Sequence, residues 1–146
     1  MSRADELGRL EQEVGVLIRR VRRVIHDRAR AVHEDLQPAS YLMLTYLVTS
    51  GPQRSSVLSE RFGVDKGAIS RQVQHLADLG LIDRAPDPAD GRATLVSASA
   101  DAVLRMEAIL SERRHWLDER LSDWSEDDLR EFVSGLSRYN AALDLD

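Results

Sequence analysis

The chain has 146 residues, 42% of them hydrophobic and 31% charged, with a net charge of −5; this is the composition of a folded globular protein rather than a disordered one. The absence of cysteine excludes a disulfide framework, a zinc–thiolate site and a thiol redox sensor. No apolar run approaches the ~18 residues of a membrane span, and the charged start MSRADELGRLEQE has no signal-peptide core, so a cytoplasmic protein without a membrane partner is expected.

Residues 4–34 predict one long helix. Leu7, Leu10, Val14, Leu17, Val21 and Val24 step by three and four, a coiled-coil-like seam. Ile18, Ile25 and Val32 recur every seven beside it. Two apolar stripes on one helix need more cover than a single small chain offers, so a partner subunit is expected; an ordinary core helix is the alternative. Pro38 opens a second helix, PASYLMLTYLVTSG, stopped by Gly51. It is apolar nearly all round and therefore expected to be buried.

SSVLSERFG predicts a serine cap, about two turns of helix and a stop at Gly63. DKGAISRQVQHLADLG predicts a further helix from the N-cap Asp65 to a stop at Gly80. Two short helices joined by a tight glycine-containing turn suggest a helix-turn-helix. LIDRAP and RATLVSAS then read as two strands around the turn DPADG. Residues 99–122 and 126–143 predict two closing helices, the second started by a capping box of Ser125 and Asp128.

On the helix after Asp65, Ile69, Val73 and Leu76 fall on one side and Gly67, Ser70, Arg71, Gln74 and Asp78 on the other. The second face is small at its start and rich in hydrogen-bonding groups further along. Entry into a DNA major groove requires this, with arginine suited to guanine and glutamine to adenine. Lys66 stands beside a helix N-terminus that favours phosphate, and Asp78 is expected to lie beyond the groove. A plain solvated helix face would have a similar pattern. Directly after it comes a hairpin, which makes the unit a winged helix-turn-helix. Arg92, near the hairpin tip, suits a narrow minor groove, where negative potential concentrates; Asp90 is its expected partner. An ordinary surface arginine is the alternative.

Net charge is +1 over residues 1–51, zero over 52–97 and −6 over 98–146. A local basic face in the middle third is therefore compatible with an acidic chain.

The run LSERFGVDKGAISRQVQHLADLGLIDRAPDPADGRATLVSAS resembles the winged-helix core of MarR-family transcriptional regulators. LADLGLIDRAPDPADGRATLV is the most specific part, and the order of flanking helices is similar too. The resemblance implies a mainly α fold with a small β-hairpin wing. In it, residues 1–36 form an N-terminal dimerisation helix, 37–98 the DNA-binding domain, and 99–146 the helices completing the dimerisation region. It implies a homodimer that binds double-stranded DNA at a pseudo-palindromic site, most often a repressor relieved by a small aromatic or phenolic ligand. Position by position it implies Lys66, Gly67, Ser70, Arg71 and Gln74 as recognition-helix contacts, Arg92 with Asp90 at the wing, and Arg54 and Ser56 as phosphate contacts. Ser59 and Gln72 depart from the family's usual alanine and aliphatic residue, and both are expected to loosen packing.

Other chemistry has less to rest on. His26 and His33 share a helix face without a carboxylate cluster, so no metal is expected. No nucleophile motif, phosphate loop or dinucleotide fingerprint appears, so neither an enzyme nor a cofactor is expected. Tyr41, Met43, Tyr46 and Trp116 suit either a ligand cavity or plain core. The rival in a different class is a helical dimer whose winged domain binds protein instead of DNA.

Overall fold

The structure is a computed structural model that describes residues 1–144. These form two compact units, one running Met1–Ile109 and the other starting at Leu110. The elements follow the order α1 (Arg3–Val32), α2 (Pro38–Ser50), β1 (Gln53–Arg54), α3 (Ser55–Phe62), α4 (Lys66–Asp78), β2 (Ile82–Pro86), β3 (Thr94–Ala98), α5 (Ala100–Arg120) and α6 (Glu126–Leu143). Helices dominate, and the strands form one small antiparallel sheet, as the mainly α, winged reading expects.

Local chemistry fixes most boundaries. Ser2 and Asp5 cap α1 reciprocally, as Ser125 and Asp128 cap α6. The Asp65 side chain accepts the Ala68 N–H at 2.8 Å and starts α4. Gly80, at φ +72°, ends it: the Leu81 N–H reaches back to the Leu76 carbonyl, the left-handed closure that glycine allows.

Three expectations need correction. The residue capping α3 is Arg54, with no side-chain cap bond, and Ser55 is the first helical residue. Arg54 is held extended because it pairs with Leu95 in β1, a two-residue strand that completes the sheet in the order β1-β3-β2. The second wing strand starts at Thr94, not at residue 92, because backbone bonds from Asp90 to Asp87 and from Ala93 to Asp90 keep residues 87–93 in the loop. Ser59 does not loosen packing: its hydroxyl donates to the Val64 carbonyl and ties the turn between α3 and α4. Gln72 is half-buried on α4.

The core of the first unit gathers Ala29 and Val32 of α1, Tyr41, Met43, Leu44 and Leu47 of α2, and Leu58 of α3. Ile69, Val73 and Leu76 of α4 join them, with Leu81, Ile82 and Val96 of the wing and Ala102 and Met106 of α5. Tyr41 and Met43 are thus plain core. The two apolar stripes of α1 are divided: Val32 is buried and Val24 and Ile25 are half-buried, whereas Leu7, Leu10, Leu17, Ile18 and Val21 are exposed. In the second unit α6 buries no residue, and Phe132 and Val133 are 54% and 63% exposed. Trp124 meets Phe132 edge to face at 5.7 Å. Arg113 and Arg120 lie over the Trp116 ring at 4.1 and 5.3 Å. Among the described residues no helix is long and apolar enough to cross a membrane.

Candidate nucleic-acid interface

The periodicity of α4 has its expected outcome. Ile69, Val73 and Leu76 are buried, and Lys66, Gly67, Ser70, Arg71, Gln74 and Asp78 are exposed. Gly67 is a matter of space rather than backbone freedom. A Cβ there would stand 3.3 Å from the Asp65 cap carboxylate and 3.5 Å from Arg71 Nη1. The Arg71 guanidinium therefore lies back over the small start of the helix, where a Cβ at position 67 would touch it at ordinary contact distance but crowd the Asp65 cap.

A cleft of about 310 Å³ separates the start of α3, α4 and the wing. Arg54, Lys66 and Arg92 line it together with the hydroxyls of Ser55, Ser56, Ser70 and Thr94. Three cations and four hydroxyls around one opening suit an anionic group such as a backbone phosphate. Thus Arg54, Ser56, Lys66, Ser70 and Arg92 come together here, while Gly67, Arg71 and Gln74 follow along the exposed face of α4.

The wing is held from its base. Asp87 is only 8% exposed and receives the Arg54 Nε–H at 2.5 Å and the Ala89 N–H at 2.9 Å. The Ala89 N–H holds the Asp87 carboxyl below its ordinary value; burial opposes this, and the Arg54 guanidinium and the Asp90 N–H add to the lowering. Arg54 thus does more than line the cleft: it anchors the loop that carries Arg92. Asp90 steadies Arg92 differently from expectation. Its carboxylate accepts the backbone N–H of Arg92 at 3.1 Å, and among the described residues no ion pair joins their side chains.

One residue absent from the sequence reading joins this face. Arg84 of β2 donates from Nη1 to Gln74 Oε1 at 3.1 Å, and Gln74 Nε2 donates to Asp78 Oδ1 at 2.7 Å. No local signal marks the Arg84 contact, which exists only because the Gly80 turn folds β2 back along α4. For Asp87, the Asp-Pro start of the turn was such a signal, since Asp commonly accepts an N–H two residues on. Two histidines meet backbone groups: His33 Nδ1 accepts the Asp35 N–H, and His75 Nε2 of α4 meets the carbonyl of Asp35, 40 positions away, at 3.2 Å.

The site's geometry is that of a winged helix-turn-helix, and comparison with known proteins agrees. Residues 34–93 match the model described as MarR family. The chain is 31% identical to the HTH-type transcriptional regulator YxaD of Bacillus subtilis over 143 residues, covering 98% of this chain and 99% of that one. A crystal structure of MarR shares 25% identity at a TM-score of 0.67, covering 90% of this chain and 88% of that one. The fold is also similar to that of RV1404 from Mycobacterium tuberculosis, with a TM-score of 0.80, 20% identity, and 99% and 97% of the two chains covered. The chain belongs to the MarR family of HTH-type transcriptional regulators.

Proposed function

We propose that this regulator is a homodimeric repressor that reads a pseudo-palindromic operator through α4 and the wing and is released by a small molecule. The observation that carries the reading is the convergence of Lys66, Ser70, Arg54 and Arg92 on one cleft beside the exposed Arg71–Gln74 face of α4. Arg71 and Gln74 meet base edges; Lys66, Arg54 and Ser56 meet phosphates; Gly67 and Ser70 permit close approach; Arg92, steadied by Asp90, enters the minor groove.

The exposed apolar faces of α1 and α6 support dimerisation, since contiguous apolar surface of this kind marks an interface. A dimer sets the spacing of two α4 helices, which must be about 34 Å for successive major grooves on one face of DNA. A small aromatic or phenolic effector acts by changing that spacing, and its coupling to DNA must be reciprocal. No catalytic step enters this reading.

Binding to duplex DNA across a salt series tests it. Affinity that falls steeply with salt, with protection of two half-sites about one helical turn apart, is expected. Salt-insensitive binding to a protein partner, with no protected DNA, would instead favour the protein-binding class.

A further inference from the structure

We propose that Arg84 and Asp78 are positioning residues that fix the Gln74 side-chain amide so that α4 prefers adenine at the base pair Gln74 meets. This rests on the reading of α4 as the groove helix. The orientation of the amide follows from the chemistry of its partners. A guanidinium only donates, so the Gln74 atom 3.1 Å from Arg84 is the oxygen; a carboxylate only accepts, so the atom 2.7 Å from Asp78 is the nitrogen.

Bond counting then gives the remaining valence. An amide oxygen has two lone pairs and the nitrogen two hydrogens, and each partner takes one. Two partners sharing the edge between oxygen and nitrogen would stand roughly 3 Å apart, within ion-pairing range. Arg84 and Asp78 form no ion pair with each other among the described residues, so they do not both occupy that edge. One acceptor and one donor are left; a preference for adenine requires both partners to take the outer sides of the amide, so that this pair on the shared edge complements adenine N6–H and N7.

Without the two partners, a glutamine amide turned by 180° presents the reverse pattern with equal ease. Arg84 reaches this point from the wing strand and Asp78 from one turn further along α4. The amide is therefore set by the junction of helix and wing rather than by the helix alone. Asp78 also acquires a reason to stand on a DNA-facing helix: it trades some electrostatic attraction for a fixed amide.

The test uses the full-length protein and four duplexes that differ only at the base pair where Gln74→Ala abolishes preference. Affinities are measured at one salt concentration, and the salt slope is recorded for each variant. The parent is expected to favour adenine by roughly tenfold. Arg84→Ala and Asp78→Ala should each flatten that preference to within about threefold. Asp78→Ala should bind all four duplexes more tightly through loss of a negative charge, and in a Gln74→Ala background neither change should alter base choice. All three side chains are exposed, so the variants keep the core. An adenine preference that survives in either Arg84→Ala or Asp78→Ala overturns the proposal. If Arg84→Ala weakens all four duplexes equally and lowers the salt slope by about one, Arg84 is a phosphate contact alone. A parent that binds DNA without preference at any position overturns the groove-helix reading and this proposal with it.

Discussion

Arg71 and Lys66 are both exposed on α4, yet their removal should read differently. Arg71→Ala should cost about 1–3 kcal/mol on the preferred site and relax preference at one base pair. Lys66→Ala should weaken binding to every duplex alike and lower the salt slope by about one. Comparison of affinities on cognate and scrambled duplexes separates the two. Asp87 bears on stability as well as on the anchoring of the wing. Its carboxyl is lowered from 3.8, first by the Ala89 N–H and then, against the opposing effect of burial, by Arg54. A lowered native value means that its stabilising effect is complete above pH 3.8 and is lost as pH falls through that lower value. Asp87→Asn should therefore melt below the parent at neutral pH, and the gap should close as the pH drops under 3.8; thermal unfolding of both proteins across that range is the check.

At the scale of elements, the legible parts of the chain were those whose cause is local. The Asp65 cap, the Gly80 stop and the Ile69–Val73–Leu76 stripe placed α4 and its exposed face from sequence alone. Removing the cap in Asp65→Ala should cost about 1 kcal/mol of stability in denaturant unfolding, with the core of α4 unchanged. The illegible parts depend on residues far apart in the chain. Strand β1 exists only because Gln53 and Arg54 find Val96 and Leu95, and it displaces the expected serine cap of α3. The anchoring of the wing joins Arg54 to a residue 33 positions away. The same applies to Arg84, which no helical or strand periodicity connects to Gln74. Chemistry of the candidate site was thus readable as a set of side chains on one helix and one loop, but not as the hydrogen-bond network that orients them.

At the scale of the whole molecule, the exposed apolar side chains on α1 and α6 carry the expectation of a dimer. Phe132 and Val133 are exposed, so Phe132→Asp combined with Val133→Asp should leave the fold of the chain intact. It should give a monomer by sedimentation equilibrium and lower affinity for a two-half-site operator by roughly a hundredfold or more, since the second half-site no longer adds its share. An unchanged dimer would move the interface elsewhere.

The most direct measurement is selection of binding sites from random duplex DNA with the purified protein at fixed, near-physiological salt. Enrichment of an inverted repeat, its half-sites about one helical turn apart, is the expected result and would supply the operator for effector screening. Recovery of only weak, sequence-blind and salt-sensitive binding would contradict a sequence-specific dimeric regulator that reads DNA through α4 and Arg92.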